Sequence, residues 1–405
     1  MSPIVPFTIG ALRLPLGLAR EAAMFLHELS LQQFRNYREG RVGFDAQKTI
    51  LVGKNAQGKS NLLEAIELLA TLKSNRAARD GDLVHQDAPA ARIEASAQRA
   101  FGPLELALTL RKRGRRTASL NGQSLQRQLD FLGSLNAVTF SNLDLELVRG
   151  SPEVRRRWLD ALLVQLEPVY AHLLQQYNRV LRQRNALLQE LRRARAAQER
   201  PASASPDWQD RLAAWDAQLT ANGARLMGRR ARILQRLAPL ARDWHASISN
   251  AREALAVAYT PNVSYPPEGD PDSVRRAIGE RIAQRREAEM HQGRTVVGPH
   301  RDEIALTLDG IPARQYGSQG QQRTLVLSLK LAELQLIEQI VGEPPLLLLD
   351  DVLAELDPER QDRLLAAIQA RFQTLITATH LQAFDVQWQR DSQVLTVEAG
   401  RIERA

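Results

Sequence analysis

Apolar and polar residues alternate in several short runs between residues 24 and 120, as in strands that bury one face. Phe25–Phe34 and the runs 91–97 and 104–110 alternate in this way, whereas residues 49–52 are mostly apolar and lead into glycines. Residues 59–72 instead repeat with the helical period, and their apolar face is formed by Leu62, Leu63, Ile66 and Leu69. We therefore predict strands, partly antiparallel, around one helix.

Long helical patterns dense in Leu, Ala, Arg and Gln replace the strands between residues 151 and 292. They cover residues 158–195 and 208–248, and a polar stretch rich in Pro and Ser separates them. These patterns predict two antiparallel helical arms that join near residues 198–207. After an irregular stretch, a shorter helix at residues 273–291 leads back to the rest of the chain.

Strands and helices alternate again from residue 295 onward. Residues 346–349 and 374–377 have the pattern of short buried strands, and residues 323–340 and 358–372 that of helices. This order predicts an α/β fold with a mostly parallel sheet. The predicted divisions are an N-terminal extension (1–23), two halves of a head (24–150 and 293–405) and an inserted helical arm, or lid, domain (151–292).

The composition excludes several kinds of site. The 405 residues include no Cys, which removes disulfide frameworks, zinc knuckles and thiol catalysis and fits the reducing cytoplasm. Pro and Gly interrupt the mildly apolar residues 1–23, and no uninterrupted apolar run of roughly 20 residues occurs, so we expect neither a signal peptide nor a membrane-spanning segment. We expect Met24 to be the natural start and residues 1–23 to be either a mis-called extension or a disordered arm.

The charge balance predicts an anionic partner. Lys and Arg number 54 against 46 Asp and Glu, which gives a net charge of +8. Most of the basic residues are Arg, whose guanidinium binds phosphate with two parallel hydrogen bonds. A GC-rich genome also favours Arg codons, but it does not explain the excess of positive charge.

A glycine-rich segment joins the strand at residues 49–52 to the helix at residues 59–72. It matches the P-loop pattern, so the predicted nucleotide-binding residues are Gly53, Lys54, Asn55, Ala56, Gln57, Gly58, Lys59 and Ser60, with Asn61 beside them. Glycines let successive backbone amides point at a phosphate, and the helix N-terminus adds positive potential. We expect Lys59 to reach the β- and γ-phosphates of ATP and Ser60 to ligate Mg²⁺. The simpler alternative is a glycine-rich turn before a helix.

Two carboxylates end the strand at residues 346–349. Ligands of open α/β sheets bind at the carboxyl ends of the strands, where these side chains are expected to lie. We assign Asp350 to the magnesium shell and Asp351 to the attacking water as its general base. An edge strand with solvated acids is the alternative.

The segment before the helix at residues 323–340 resembles the signature motif of ABC ATPases. In that family the signature of one subunit contacts the γ-phosphate held by the other subunit, so the resemblance implies ATP contacts from Ser318, Gly320 and Gln321. A Ser hydroxyl, a Gly amide and a helix N-terminus make a reasonable anion cradle. Ser and Gly also cap helices, which is the simpler interpretation.

Two weaker features agree with an ABC ATPase. Residues 354–357 follow the paired Asp residues at the spacing of the ABC D-loop, which crosses the dimer interface. His380 follows the strand at residues 374–377, where the family has its switch His, although a lone His after a strand is often only exposed to solvent. No Gln stands at residues 140–142, the region of the ABC Q-loop.

Taken together, the motifs resemble the RecF family of ABC-type, SMC-like ATPases. The matching blocks keep the family order over most of residues 24–380 and are Phe34–Tyr37, Gly58–Ile66, Gly150–Asp160, Gln183–Leu188, Gly298–Asp302, Ser318–Leu334 and Pro344–Asp351. The resemblance also implies that Arg35 and Asn36 of the first block belong to the nucleotide site. Asn142, Leu143 and Ala354 depart from the family pattern in regions that tune dimer closure.

The resemblance implies a fold and a role. RecF-like proteins have an ABC-type ATPase head with a helical arm shorter than an SMC coiled coil. They dimerise on ATP, bind DNA at gaps and at single-strand/double-strand junctions, and act with RecR and RecO to load the RecA recombinase. Their ATPase is slow and stimulated by DNA. These properties are expectations for this chain.

Two dense basic clusters are candidates for DNA contacts. They are Arg111, Arg113, Arg115 and Arg116 in a turn, and Arg155, Arg156 and Arg157 at the start of the arm. Each cluster either neutralises DNA phosphates or is a solvated surface. Aromatic residues make up only 5% of the chain, which favours contacts with the duplex backbone over stacking on single-stranded bases.

Three other readings stay open. An SMC-like head fragment would need long heptad repeats, and an overcoming-lysogeny-type nuclease-ATPase would need an added acidic metal cluster after Asp357; the sequence has neither pattern. A DNA clamp that binds ATP without hydrolysing it fits the motifs as well as an ATPase does.

Overall fold

The computed structural model describes residues 24–196, 207–265, 270–353, 356–368, 371–384 and 386–404. The alternating N-terminal runs form a six-stranded antiparallel sheet in the order β2-β1-β4-β5-β6-β7. Its strands are β1 (Phe25–Phe34), β2 (Tyr37–Gly43), β4 (Ala90–Arg99), β5 (Gly102–Arg111), β6 (Thr117–Leu120) and β7 (Gln123–Ser124). One face is buried, with Ile93 and Leu108 inaccessible to solvent, as the alternation predicts.

A second six-stranded sheet is almost entirely parallel and has the order β15-β14-β3-β13-β12-β8. Its strands are β3 (Lys48–Val52), β8 (Ala137–Ser141), β12 (Leu346–Asp350), β13 (Thr374–Ala378), β14 (Gln393–Glu398) and β15 (Arg401–Arg404), and only β15 pairs antiparallel. The carboxyl ends of β3 and β12 therefore lie at the same edge, with β13 between them. Both faces of the sheet are covered, which explains the four consecutive buried leucines of β12.

Helices cover the parallel sheet and lead into the arm. The head helices are α1 (Lys59–Thr71), α2 (Glu146–Arg149), α3 (Pro152–Leu166), α7 (Ala313–Tyr316), α8 (Gln319–Val341), α9 (Pro358–Ile368) and α10 (Val386–Arg390). Helix α1 is buried on nearly every side because the rest of the head packs around it. Helix α8 begins at residue 319, four residues before its predicted start, and α9 ends at residue 368; residues 369–370 lie outside the described part of the chain.

The arm consists of α4 (Pro168–Ala196), α5 (Trp208–Ser249) and α6 (Pro271–Gln292). The single helix predicted for residues 158–195 is wrong, because the chain breaks at Glu167 and restarts at Pro168, whose ring cannot continue a helix. The predicted junction near residues 198–207 lies almost wholly outside the described residues.

Residues 255–260, inside the predicted helical domain, form a strand that the sequence analysis missed. This strand, β9 (Leu255–Thr260), pairs with β10 (Glu303–Leu308), which in turn pairs with β11 (Ile311–Pro312). The small sheet lies at the base of the arm and joins it covalently and by hydrogen bonds to the C-terminal half of the head. None of the helices in the described residues is long and apolar enough to cross a bilayer. The predicted extension, residues 1–23, lies outside the described part.

Buried ion pairs hold the base of the arm together. Arg184 of α4 is fully buried; its Nε lies 2.7 Å from Asp216 of α5, and its Nη2 lies 2.5 Å from Glu289 of α6. Arg230 of α5 makes two hydrogen bonds of 2.9 Å with Asp160 of α3. These pairs lock the three arm helices to one another and to the head.

Candidate nucleotide-binding site

The P-loop follows β3 and ends at the first turn of α1. Gly58 has φ +120°, a conformation that residues with a side chain rarely adopt, and a Cβ there would lie 2.8 Å from the Asn36 amide. A Cβ on Gly53 would lie 2.2 Å from the Val397 carbonyl oxygen. Both glycines are therefore required by close backbone approach, as the P-loop pattern predicts.

Lys59 is a buried cation without a carboxylate partner. The residue is 4% exposed, and its Nζ donates to the backbone carbonyls of Gly53, at 2.6 Å, and Lys54, at 3.0 Å. Within the described residues no carboxylate lies at ion-pairing distance from this ammonium. A buried charge of this kind is costly unless a counter-ion joins it. The loop therefore fits the phosphates of a nucleotide, which would supply the missing negative charge.

The first family block supports the P-loop from outside. Asn36 Nδ2 donates to the Gln57 carbonyl at 2.8 Å, and Asn36 Oδ1 accepts from Asn61 at 2.8 Å. The Tyr37 hydroxyl donates to the Gly58 carbonyl at 3.0 Å. These bonds fix the C-terminal end of the loop at Gln57 and Gly58, and Tyr37 is a supporting residue that the sequence analysis had not assigned to the site.

Arg35 has a different place from the one that the resemblance implies. Its guanidinium makes a bidentate pair with Glu64 of α1, at 2.8 and 2.9 Å, and donates to the Asp82 carbonyl. The Arg35 side chain is 22% exposed. In this conformation it anchors α1 to the antiparallel sheet, and a nucleotide contact stays a prediction.

Ser60 and Asp350 meet where the magnesium site was predicted. Ser60 Oγ donates to Asp350 Oδ1 at 2.7 Å, and Thr377 Oγ1 donates to the same oxygen at 3.0 Å. Mg²⁺ is commonly held by one or two protein oxygens together with phosphate oxygens and water. Among the described residues, no group of three or more His, Cys, Asp or Glu is placed to hold a metal. Ser60 and Asp350 therefore fit a Mg²⁺ ion whose other ligands are phosphate oxygens of a nucleotide and water.

Asp351 follows β12 in a strained conformation. Its φ is +54°, and its backbone amide donates to Thr377 Oγ1 at 2.8 Å. Thr377, at the end of β13, thus holds both carboxylates, and the sequence analysis missed it. Its only signal was its position at the carboxyl end of a strand next to β12. Strain of this kind persists where the surrounding structure imposes it, often at functional sites.

A cleft of about 230 Å³ opens beside these carboxylates, lined in part by Ser60, Glu67, Asp350 and Asp351. Glu67 is on α1, and its Oε1 accepts from Asn75 at 2.6 Å. Burial raises the pKa of Glu67 to about 8, while the nearby Lys330 ammonium opposes this shift. Burial therefore favours the neutral form of the Glu67 carboxyl beside the site.

The signature residues begin α8. Ser318 is the N-cap: its Oγ accepts from the Gln321 amide at 3.2 Å, and Gln321 Oε1 accepts from the Ser318 amide at 2.6 Å. Ser318 is exposed and Gly320 half-buried. In the described residues no hydrogen bond joins this segment to the P-loop of the same chain. Ser318 therefore does cap α8, as the simpler interpretation expects. The N-terminus of the helix nevertheless lies open to solvent.

The remaining ABC features are partly visible. His380 is exposed and follows β13 at the predicted place, so its switch role stays a prediction. Residues 354–355 of the predicted D-loop lie outside the described part, whereas Leu356 is buried and Asp357 is exposed.

The structure separates the predicted DNA-contacting arginines. Arg111, Arg113 and Arg115 are exposed in the β5–β6 turn. Arg116 makes a bidentate pair with Asp80, at 2.6 and 2.8 Å, so it is already neutralised.

The second cluster divides in the same way. Assigning Arg155 to DNA was wrong: its side chain is 7% exposed and makes a bidentate pair with Glu303. Arg156 is half-buried and donates to the Asp302 carbonyl at 2.6 Å, whereas Arg157 is exposed. Of this cluster, Arg157 has the most exposed guanidinium, and its Nε lies 3.8 Å from Glu153 Oε1 on the same helix face.

Comparisons with known proteins agree with this geometry. The model of the RecF/RecN/SMC N terminal domain matches residues 25–403. "DNA replication and repair protein RecF" from Trichormus variabilis is 62% identical over 379 residues, covering 94% of this chain and 98% of that protein. The protein of the same name from Nostoc punctiforme is 62% identical over 380 residues, covering 94% and 99%.

Solved structures show the same fold. The recombination mediator protein RecF-ATP of the RecFOR pathway superposes with a TM-score of 0.85 at 30% identity, covering 95% of this chain and 98% of that one. An SMC head domain from Pyrococcus furiosus has a TM-score of 0.52 at 14% identity, covering 94% and 96%, which supports the fold alone. The chain, with its ABC-type ATPase head and helical arm, belongs to the RecF family.

Proposed function

We propose that this chain is an ATP-hydrolysing, DNA-binding protein of recombinational repair that works as an ATP-closed dimer. The observation that carries the proposal is the buried Lys59 at the start of α1, which pairs with no carboxylate in the described part of the chain and lies in the same site as the Ser60–Asp350 pair. A lone buried cation next to hydroxyl and carboxylate oxygens suits a magnesium-bound polyphosphate. The similarity to RecF-ATP supports the same conclusion.

The residues of the site have separate roles in ATP hydrolysis. P-loop amides and Lys59 bind and orient the phosphates, and Ser60 and Asp350 hold the metal side of the nucleotide. When bound, Mg²⁺ neutralises charge on the phosphate oxygens. Asp351 accepts a proton from the attacking water. Thr377 keeps Asp351 in place, because Thr377 Oγ1 accepts from the Asp351 backbone amide at 2.8 Å and donates to Asp351 Oδ1 at 3.4 Å.

The signature supports a shared site. Ser318 and Gly320 lie at an open helix N-terminus that makes no hydrogen bond to its own P-loop in the described residues. In the proposed dimer this end of α8 meets the γ-phosphate held by the partner subunit. ATP then holds two subunits together, and hydrolysis releases them.

DNA is the proposed partner of the closed dimer. The net charge of +8 and the exposed arginines at 111, 113, 115 and 157 supply sequence-independent phosphate contacts. We infer binding to gapped or junction DNA through its duplex backbone, a slow DNA-stimulated ATPase, and action with RecR and RecO in loading RecA. The names of the relatives, which concern DNA replication, repair and the RecFOR pathway, support this part of the proposal.

The Asp351→Asn variant tests the proposal. Removal of the base should lower the turnover number by roughly 10²–10⁴-fold while the phosphate cradle still binds ATP. Light scattering after size-exclusion chromatography should then show a stable dimer in ATP and a monomer in ADP or without nucleotide. Addition of gapped DNA should stimulate the unaltered protein and leave the variant inactive.

Two outcomes would contradict the proposal. If the unaltered protein stays monomeric in saturating ATP, the shared site is wrong. If it dimerises on ATP but shows no hydrolysis in single-turnover measurements with gapped DNA, the chain is an ATP-gated clamp and not an ATPase.

A further inference from the structure

An arginine that no sequence motif indicated lies beside the signature glycine. Arg360 is in the first turn of α9, just after the D-loop. An ideal Cβ built on Gly320 would lie 3.4 Å from Arg360 Nη2. The Arg360 side chain is 32% exposed, so the guanidinium lies at the surface where Ser318 and Gly320 also lie.

Two of the three guanidinium nitrogens of Arg360 are held in place. Nε donates to Thr324 Oγ1 at 2.8 Å, and Thr324 Oγ1 donates in turn to the Gly320 carbonyl at 3.0 Å. Nη1 pairs with the Asp357 carboxylate. The third nitrogen, Nη2, has no hydrogen-bond acceptor within the described residues and is the one next to Gly320.

This arrangement is pre-organised for an anion. A guanidinium donates through a planar fork, and holding Nε and Nη1 fixes the direction in which Nη2 points. The chain places this donor beside a glycine whose missing side chain leaves the approach open. An anion that reached the signature segment would therefore meet a fixed, partly neutralised cation with free donor capacity.

We propose that Arg360 binds the γ-phosphate of the ATP held by the partner subunit's P-loop and stabilises charge on it during hydrolysis. The inference rests on the proposed shared site and adds a positive charge beside Ser318, Gly320 and Gln321, which carry none. Arginines supplied in this way by a second subunit stabilise the transition state of phosphoryl transfer. Asp357 has the complementary role of keeping Arg360 oriented before the dimer closes.

The alternative is that Arg360 only caps α9 and ties it to α8 through Thr324. The two roles predict different kinetics. A cap would act on stability, whereas a phosphate contact made in the closed dimer acts on turnover. Arg360→Gln should therefore lower kcat by about 10²-fold, as the loss of one transition-state donor does elsewhere. Binding of ATP to the monomer should be unchanged, and Arg360→Lys, which keeps the charge but loses the fork, should recover part of kcat.

Arg371→Gln is the matched control. Arg371 follows the same helix, is 49% exposed, and pairs with Glu338 on the far part of α8. Its loss should leave kcat and ATP affinity unchanged. If Arg360→Gln hydrolyses ATP at the unaltered rate, or loses only thermal stability as a cap would, the inference is overturned.

Mixed dimers show whether Arg360 acts across the interface. In a mixture of Arg360→Gln and Lys59→Ala chains, one composite site of each mixed dimer has an intact P-loop and an intact Arg360. Activity should return in proportion to the fraction of mixed dimers. A contact within one subunit would give no recovery, because the intact P-loop would belong to the chain that lacks Arg360.

A second mixture separates failure of this inference from failure of the proposed function. Ser318→Arg mixed with Lys59→Ala tests the shared site without involving Arg360. Recovery in this mixture but not in the Arg360→Gln mixture overturns the role of Arg360 alone. Absence of recovery in both, with mixed dimers demonstrated by light scattering, overturns the shared site and the inference with it.

Discussion

The nucleotide site and the base of the arm both bury charged side chains, but only at the base of the arm are these charges paired with opposite charges of the described chain. At the base of the arm, Arg184 and Arg230 are fully or almost fully buried, and each meets carboxylates at 2.5 to 2.9 Å. In the nucleotide site, Lys59 is equally buried and meets only backbone carbonyls, while Asp350 meets only hydroxyls in the described residues.

The difference has a physical meaning. A buried charge that is paired within the chain has already been stabilised, and its role is to fix the relative positions of helices. A buried charge that the chain leaves without a counter-ion needs one from elsewhere. The family block that contains Arg184, and the blocks that contain Asp160 and Asp302, the partners of Arg230, are therefore structural in this comparison, and the P-loop is the proposed ligand site.

The largest expected effect is on ATP hydrolysis at the nucleotide site, where the buried charge of Lys59 has no counter-ion in the described residues. Lys59→Ala removes the only buried ammonium at the P-loop, so ATP hydrolysis should fall by at least about 10²-fold, since the loss of one charged contact at a reacting phosphate costs several kcal/mol. Stability should change little, because no ion pair within the described chain is broken. Isothermal titration with ATP and steady-state turnover measure the effect. Lys73→Ala, at an exposed position just after the end of α1, is the matched control.

Normal ATP affinity together with normal turnover in Lys59→Ala would remove the P-loop assignment. A large loss of stability in the same variant would contradict the comparison itself, since Lys59 would then be a structural charge like those of the arm.

The second-largest expected effect is on the stability of the arm base, where the buried charges are paired. Arg184→Met leaves the fully buried Glu289 without its cation, whereas Asp216 keeps its ion pair with Arg286, so the free energy of unfolding should fall by about 3–5 kcal/mol, mainly through Glu289. ATP affinity of the protein that remains folded should be unaltered. Urea unfolding measures the first quantity and isothermal titration the second. Arg182→Met on the same helix is the control, because Arg182 is exposed. An unchanged unfolding free energy would show that the network is not what holds the arm.

The smallest effect concerns pH and His300, in the family block at the arm base. The Tyr177 hydroxyl lies 2.7 Å from His300 Nδ1, and His300 Nε2 lies 3.2 Å from the Thr295 carbonyl, which fits a neutral ring that donates from Nε2. The pKa of His300 is lowered to about 4, mainly by burial and to a smaller extent by the nearby Arg301, Arg156 and Arg184, while the bond to Thr295 opposes the shift.

The sign follows from proton linkage. Between pH 6.5 and about 4 the unfolded chain binds this proton and the folded chain does not, so stability should fall as the pH is lowered through that window. The contribution is complete above pH 6.5, and its loss is at most about 3 kcal/mol. Comparison of unfolding free energies of the unaltered protein and His300→Asn at several pH values isolates it. Identical pH dependence in the two proteins would show that His300 does not couple to folding.

Contiguous motifs were the part of the site that the sequence predicted well. The P-loop and the paired carboxylates are local patterns, and the structure places Ser60 and Asp350 2.7 Å apart although they are separated by 290 positions. Thr377 and Arg360 were missed because their importance depends on neighbours across strands and helices. The side chain of Thr377 reaches Asp350 only because β13 lies next to β12, an order that the sequence does not state.

Exposure was the property that the sequence predicted least well. Arg155, Arg156 and Arg157 are consecutive and identical in chemistry, yet they are buried, half-buried and exposed. Successive residues of a helix point about 100° apart, so the surrounding packing decides which of them meets solvent. The strand β9 was missed for a related reason, since its alternation is short and becomes informative only when β10 is available to pair with it.

By itself the sequence determined the fold class and the order of head and arm, and it located the P-loop, because hydrophobic periodicity and the P-loop pattern act through neighbours in the chain. Only the tertiary structure decided which charges are paired and which are left for a ligand. Pairing depends on distances of a few ångströms between residues such as Arg184 and Glu289, which are far apart in sequence. The interaction energy of two charges depends on their separation and burial, and neither can be inferred from position along the chain.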